Sequence, residues 1–207
     1  VIVGIPQSPR NIPMDDARRI VRNSRLPIVA LTFNQDLDTN LEVVETILPF
    51  ALQLQGEETP ELIASLNEKI TCEIWKALHL PPQEENGEID LDRLLNQARE
   101  YQEAGANCFM VDSSTVIDGV KRYGGTGKTV DWGLARKIVK QIKAPVFLSG
   151  VIDPDNVVEA FETVRPFGID LSSGVEREKG KKDPVLVRAL IQNIRDRREL
   201  RDPGVAY

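Results

Sequence analysis

Five short segments carry residue types that could do chemistry, and four of them sit at the end of an apolar run. The first is Met110-Val111-Asp112-Ser113-Ser114, where a carboxylate closes a buried stretch. A carboxyl at a strand end can give or take a proton; the same residue could also be an ordinary helix-capping or turn Asp. The second is Gly124-Gly125-Thr126-Gly127-Lys128-Thr129, three glycines with Lys and Thr. It suggests a phosphate cradle or a flexible lid. It is not a Walker A loop, because the first glycine of that motif is replaced by Arg122. The third and fourth are Leu148-Ser149-Gly150 and Leu171-Ser172-Ser173-Gly174, whose small residues let backbone N–H groups approach an anion. The fifth is Gln7-Ser8-Pro9-Arg10, whose guanidinium could clamp a carboxylate or simply face solvent.

What must position them is a recurring unit of short apolar run, turn and helix-periodic segment. The runs are Val1–Ile5, Pro27–Phe33, Phe50–Leu54, Lys69–Ala77, Asn107–Asp112, Pro145–Ser149 and Gly168–Leu171. Continuous apolar runs of this length suit strands buried on both faces of a parallel sheet. Between them, Val157, Ala160, Phe161 and Val164 stand at helical spacing, as do Leu134, Ile138, Val139 and Ile142, and Leu186, Leu190, Ile191 and Ile194. Asp153-Pro154, Asp183-Pro184 and Thr59-Pro60 read as helix starts. Gly105 reads as the stop of a helix over 91–104.

Strand–helix alternation means a parallel α/β fold. The short, regular unit and the absence of GxGxxG after the first strand favour a (β/α)₈ TIM-type barrel over an open doubly wound sheet. In such a barrel the active site lies at the C-terminal ends of the strands. The count is one unit short of eight. Residues 1–196 read as one barrel domain, 197–207 as a charged, mobile tail, and 79–90 as a polar excursion.

The chain has 207 residues, a net charge of −6, 41% hydrophobic and 28% charged residues. The acidic balance argues against non-specific binding to nucleic acid or an anionic membrane. No apolar run reaches the roughly 20 residues of a membrane helix. Cys72 and Cys108 show neither metal spacing nor a disulfide framework. A cytoplasmic protein is expected.

The runs GGTGKTVDW (124–132), SPR (8–10), MVDS (110–113), SGVIDPDNV (149–157) and RPFGIDLSSGVE (165–176) together resemble the phosphoribosylanthranilate isomerase family, in order and spacing, from residue 1 to about 195. The resemblance implies a (βα)₈ barrel in tryptophan biosynthesis. Its reaction is the Amadori rearrangement of N-(5′-phosphoribosyl)anthranilate, with no cofactor and no metal. It implies Asp112 as the general acid that opens the ribose ring, and Arg10 on the anthranilate carboxylate. It places Asp170 near the anthranilate amine, the phosphate on amides around Gly150, Ser172 and Ser173, and the loop of Gly124, Gly125, Gly127 and Lys128 over a small phosphorylated substrate.

The sequence also departs from the family. In the family the general base is a cysteine in a Lys-Ile-Cys-Gly motif at the end of the first strand; the resemblance implies that this sequence begins at the second strand, with the first β-strand/helix unit missing and that motif absent. Cys108 lies four residues before Asp112, roughly 13 Å down the same strand at about 3.3 Å per residue. Cys72 also sits early in its run. Both are expected in the core. Gln55 stands where the family usually has His, and Val151 where it usually has a second Gly. The chain opens on Val1 rather than Met, so either an initiator Met was removed or residues precede it. Seven strands alone are expected to be unstable or to pair with a second copy as a homodimer.

Three readings follow: an isomerase whose base lies in a preceding segment; a non-catalytic relative that binds a phosphorylated ligand or a protein; and an indole-glycerol-phosphate synthase relative, for which Lys76 is the one inward lysine.

Overall fold

The structure is a computed structural model. It describes the backbone of residues 1–80, 90–117, 120–123 and 130–201, and the side chains of 1–80, 90–114 and 130–197. The elements are α1 (Met14–Asn23), β1 (Val29–Thr32), α2 (Leu37–Ile47), β2 (Ala51–Leu54), α3 (Pro60–Asn67), β3 (Glu73–Leu80), α4 (Leu91–Glu103), β4 (Cys108–Ile117), β5 (Val120–Tyr123), α5 (Trp132–Gln141), β6 (Val146–Leu148), α6 (Val157–Val164), β7 (Gly168–Ile169), β8 (Glu176–Glu178), β9 (Lys181–Lys182) and α7 (Pro184–Arg201). The chain forms two compact units. The described residues of the first are 1–79, 90–110 and 141–146; those of the second are 80, 111–117, 120–123, 130–140 and 147–201.

In the first unit β1, β2 and β3 pair in parallel, with Val29 opposite Ala51 and Ala51 opposite Glu73. The amide of Asn107, just before β4, bonds the Ile74 carbonyl at 2.8 Å, and that of Phe109 bonds the Pro145 carbonyl at 2.9 Å. Helices follow their start signals. Asp36 caps α2 through the Thr39 amide, Thr59 caps α3 through Leu62, and Asp90 caps α4 through Arg93. Gly105 takes φ +116 after α4, where a side chain would be strained. Buried Asn40 pins α2 to β1: it accepts from the Thr32 hydroxyl at 2.8 Å and donates to the Gln35 and Asp36 carbonyls.

Two boundaries differ from the sequence reading. Val1–Ile5 is not a regular strand. It runs parallel to β1, with Leu31 N–H on Val1 O at 2.8 Å and Val3 N–H on Leu31 O at 3.1 Å, but makes only isolated bridges. The run 69–77 is shifted: β3 starts at Glu73 and includes His79, because register with β2 places it and the β-branched Ile70 and Thr71 fall in the preceding turn.

The most buried charges of this unit form an ion pair. Lys76 Nζ lies 3.0 Å from Glu58 Oε2, with both side chains 1% exposed. The ammonium also donates to the carbonyls of Gly56, Ala77 and Leu54 at 2.7, 3.1 and 3.3 Å and sits 5.3 Å from the Tyr101 ring centre. Glu58 Oε1 accepts the amides of Asn34 and Gly56 at 2.9 and 3.0 Å. Burial lowers the Lys76 pKa and Glu58 opposes that shift.

In the second unit β6 and β7 pair in parallel, Phe147 opposite Gly168. The Ser149 amide bonds the Val111 carbonyl at 2.8 Å, which joins β4 to the same sheet. β4 does not end at Asp112 as the sequence suggested; it continues to Ile117 and turns antiparallel onto β5. A second hairpin, β8–β9, precedes α7. Asp183-Pro184 starts α7, but Asp153-Pro154 starts a turn: Asp153 Oδ1 accepts the amides of Asp155 and Asn156, and α6 begins at Val157. No helix among the described residues is long and apolar enough to cross a membrane.

Removing either member of the Lys76–Glu58 pair strands the other as a buried charge. Lys76→Met or Glu58→Gln alone should each cost about 3–5 kcal/mol of unfolding free energy in urea titrations, and the double variant far less than their sum. Additive losses would show that the two groups do not stabilise the fold as a pair.

Candidate active site

Asp112 within β4, Ser149 just after β6 and Asp170 just after β7 stand in one row across the sheet of the second unit. Ser149 N–H bonds the carbonyl of Val111, and Asp170 N–H bonds that of Leu148 at 2.8 Å. Strands about 4.8 Å apart put the two outer residues of such a row roughly 10 Å from each other. Asp112 is buried, and its Oδ1 accepts the Ser113 amide at 2.7 Å.

Asp170 is partly buried, and its side chain bonds that of Ser149. Burial pushes the Asp170 carboxyl above the usual carboxylate range. The Ser149 hydrogen bond, the Lys182 cation and the Leu171 amide each pull it back. Lys182 is fixed by the Ser172 carbonyl at 2.8 Å and by Glu176 Oε1 at 3.0 Å.

Beside this row lie two turns built from small residues. After β6, Gly150 takes φ +90 and Val151 φ +23. After β7, Ser173–Val175 form one helical turn, whose first amides have no partner inside the turn. The two turns touch: a Cβ on Gly174 would fall 2.0 Å from the Ile152 carbonyl oxygen, so only glycine fits. Gly150, Ser172 and Ser173 are thus together with Asp112 and Asp170 in one unit.

Arg10 belongs to the first unit. It is partly buried in a tight loop closed by Ser8 N–H on Ile5 O at 2.9 Å and Asn11 N–H on Ser8 O at 3.1 Å, and its own amide bonds the Ser8 hydroxyl. Gly124, Gly125, Gly127 and Lys128 lie outside the described residues, as do residues 81–89 of the polar excursion. Gln55 is buried, accepts the Gln53 amide at 2.8 Å through its side chain, and receives His79 Nε2 on its carbonyl at 2.7 Å.

Both cysteines are poor bases. Burial drives the Cys108 thiol up to about 12, with Glu73 adding to the shift, and raises Cys72 as well. A thiol held that high is not a thiolate at neutral pH. Lys76, the lysine of the synthase alternative, has its ammonium enclosed by Glu58 and three carbonyls. Lys182 and Glu58 were not foreseen from spacing, because each acts on a chain segment several residues away through a loop or hairpin.

The chain matches the family model of N-(5′-phosphoribosyl)anthranilate isomerase over residues 2–193. It belongs to the phosphoribosylanthranilate isomerase family. The Methanocella arvoryzae isomerase is 36% identical over 199 residues, which cover 94% of this chain and 86% of the relative. The solved Thermotoga maritima isomerase superposes with a TM-score of 0.77 at 34% identity, over 94% of this chain and 86% of that one. A phosphoribosyl anthranilate isomerase in complex with reduced 1-(o-carboxyphenylamino)-1-deoxyribulose 5-phosphate superposes at 0.74 and 30% identity, over 94% and 86%. The fold class is the α/β barrel of the isomerase family.

The raised pKa of Asp170 makes a stability prediction. The native state keeps a proton that the unfolded chain releases, so stability falls as pH rises from the ordinary value of 3.8 toward the raised folded value. Asp170→Asn should therefore raise Tm at neutral pH. The gain should shrink on acidification toward the ordinary value. A gain that is independent of pH would assign it to something other than the carboxylate.

Proposed function

We propose that this protein isomerises N-(5′-phosphoribosyl)anthranilate, an aminoaldose, to the corresponding aminoketose in tryptophan biosynthesis. The observation that carries the reading is the row of Asp112, Ser149 and Asp170 beside the two small-residue turns. It sets two carboxyls beside backbone turns suited to an anion within one unit.

In this reading Asp112 donates a proton to the ribose ring oxygen. The C1′–O bond breaks, and the anthranilate nitrogen lone pair forms a Schiff base. A base then removes the C2′ proton, and the resulting enolamine tautomerises to the ketose. Protons move within the product and no redox equivalent is needed. Asp170 faces the anthranilate amine, and Arg10 takes the anthranilate carboxylate. The phosphate sits on the amides of Gly150, Ser172 and Ser173, and the loop carrying Gly124, Gly125, Gly127 and Lys128 covers it. The family's Lys-Ile-Cys-Gly base motif occurs nowhere in the 207 residues, and the raised thiols of Cys72 and Cys108 argue against either as a substitute. A cytoplasmic location accords with this chemistry.

The test is turnover by the natural protein, weighed intact against the 23.1 kDa of this chain. Asp112→Asn should abolish turnover while affinity for the reduced product analogue stays within about threefold. Unchanged turnover would remove Asp112 from the mechanism. Cys72→Ala and Cys108→Ala should leave kcat within about twofold; a collapse on either would make that thiol the base. Analogue binding with no turnover in the natural protein would instead mark a ligand-binding relative.

A further inference from the structure

Val151 holds a backbone conformation that its side chain opposes. Its φ is +23, in the region that favours glycine, and it branches at Cβ. Such a conformation persists only where the surroundings over-determine it.

The determining group is Asn156. Its Nδ2 donates to the Val151 carbonyl at 2.9 Å, and its Oδ1 accepts the Asp153 amide at 3.0 Å. Asp153 Oδ1 in turn accepts the amides of Asp155 and Asn156 at 2.9 and 3.0 Å, so Asn156 is itself held in place. Fixing the Val151 carbonyl fixes the peptide plane it shares with the Ile152 amide. Ile152 is buried, and its own carbonyl is packed against Gly174. The chain is therefore held beyond Val151, and before it the Ser149 amide is held by the Val111 carbonyl, so Gly150 and Val151 bridge two fixed points and φ of Val151 has little freedom. The direction of the Val151 N–H is then set, and that amide immediately follows Gly150.

We propose that Asn156 is a positioning residue for the substrate's phosphate. By holding Val151 at positive φ it aims the amides at 150–151, and through Ile152 it keeps them in register with the Ser173–Gly174 turn. The proposal rests on the reading that places the phosphate at these two turns. Asn156 reaches the phosphate only through the backbone, so it should act on affinity rather than on proton transfer.

The experiment is a double-variant cycle on the full chain, read by the Kd of inorganic phosphate and by KM and kcat separately. Asn156→Ala should weaken inorganic phosphate and raise KM about tenfold, with kcat within about twofold. Glycine adopts positive φ without help, so in a Val151→Gly background the same change should cost less than about threefold. If Asn156→Ala does not fold, Asn156→Ser keeps a small polar side chain, adds no charge and is too short to reach the Val151 carbonyl; its phosphate deficit should likewise shrink in the Val151→Gly background. Equal losses in both backgrounds, unchanged phosphate affinity, or a fall in kcat alone would overturn the proposal. Ser173→Asp tests the underlying site on its own. If that added carboxylate leaves phosphate affinity unchanged, the phosphate binds elsewhere, and both readings fall whatever Asn156 does.

Discussion

The first unit depends on one buried ammonium. Strand ends are costly to bury because their last carbonyls and amides leave the ladder, and a buried backbone group without a partner loses its hydration for nothing. Lys76 meets two such carbonyls, those of Leu54 and Gly56, and a third, that of Ala77, within β3. Glu58 takes the complementary amides of Asn34 and Gly56 and cancels the charge. The loops after β1 and β2 inherit their geometry from this arrangement. Asn34 adopts φ +48, and a Cβ on Gly56 would lie 2.0 Å from the Asn34 Oδ1. The ammonium is expensive to desolvate, as its lowered pKa shows. What it gives in return is a single position for each loop.

The strand ends of the second unit are finished differently. Backbone bonds run from β4 to β6 to β7, and the side chains left at the edge are Asp112, Ser149 and Asp170. The turns that follow use serine and glycine where the first unit uses a charge pair. Asp170 is offset by Ser149 and by Lys182, and that lysine is shared with Ser172 and Glu176. An end saturated by its own ion pair is a structural device. An end with carboxyls and the first amides of a helical turn is one a ligand can complete.

Much of this was legible in the sequence. Buried runs at 27–33, 50–54, 107–112, 145–149 and 168–171 became strands because continuous apolar stretches of that length have few other uses. Asp183-Pro184 and Thr59-Pro60 started helices because the cap and the fixed φ of proline agree. The failures have physical reasons. β3 was displaced because pairing register with β2 outweighed the β-branched residues at 70 and 71. The extension of β4 into a hairpin was missed although a signal was present: Asp118-Gly119 stands between the paired Ile117 and Val120, a sequence that favours a tight turn. Asp153-Pro154 misled because its carboxylate caps a turn one step ahead of α6. Lys76–Glu58 and Lys182–Ser172 were illegible because both depend on loop paths that spacing does not reveal.

The places where local rules are broken are themselves informative. A sequence that specifies one structure is consistent across levels, and the exceptions gather where function imposes its own demands. In the second unit two exceptions sit on adjacent strand ends: a β-branched residue at positive φ after β6, and a carboxyl after β7 held above its ordinary pKa by burial. Neither helps the fold. Each is supported by a neighbouring side chain, Asn156 for the first and Ser149 for the second. Support of this kind is what a site needs if its amides and carboxyls are to be fixed before the ligand arrives, since freedom left in them would be lost on binding. The strain in Val151 and the burial of Asp170 therefore argue for the same thing from independent physics. These segments hold their amides and carboxyls at set positions, and the stability lost there is the counterpart of that order.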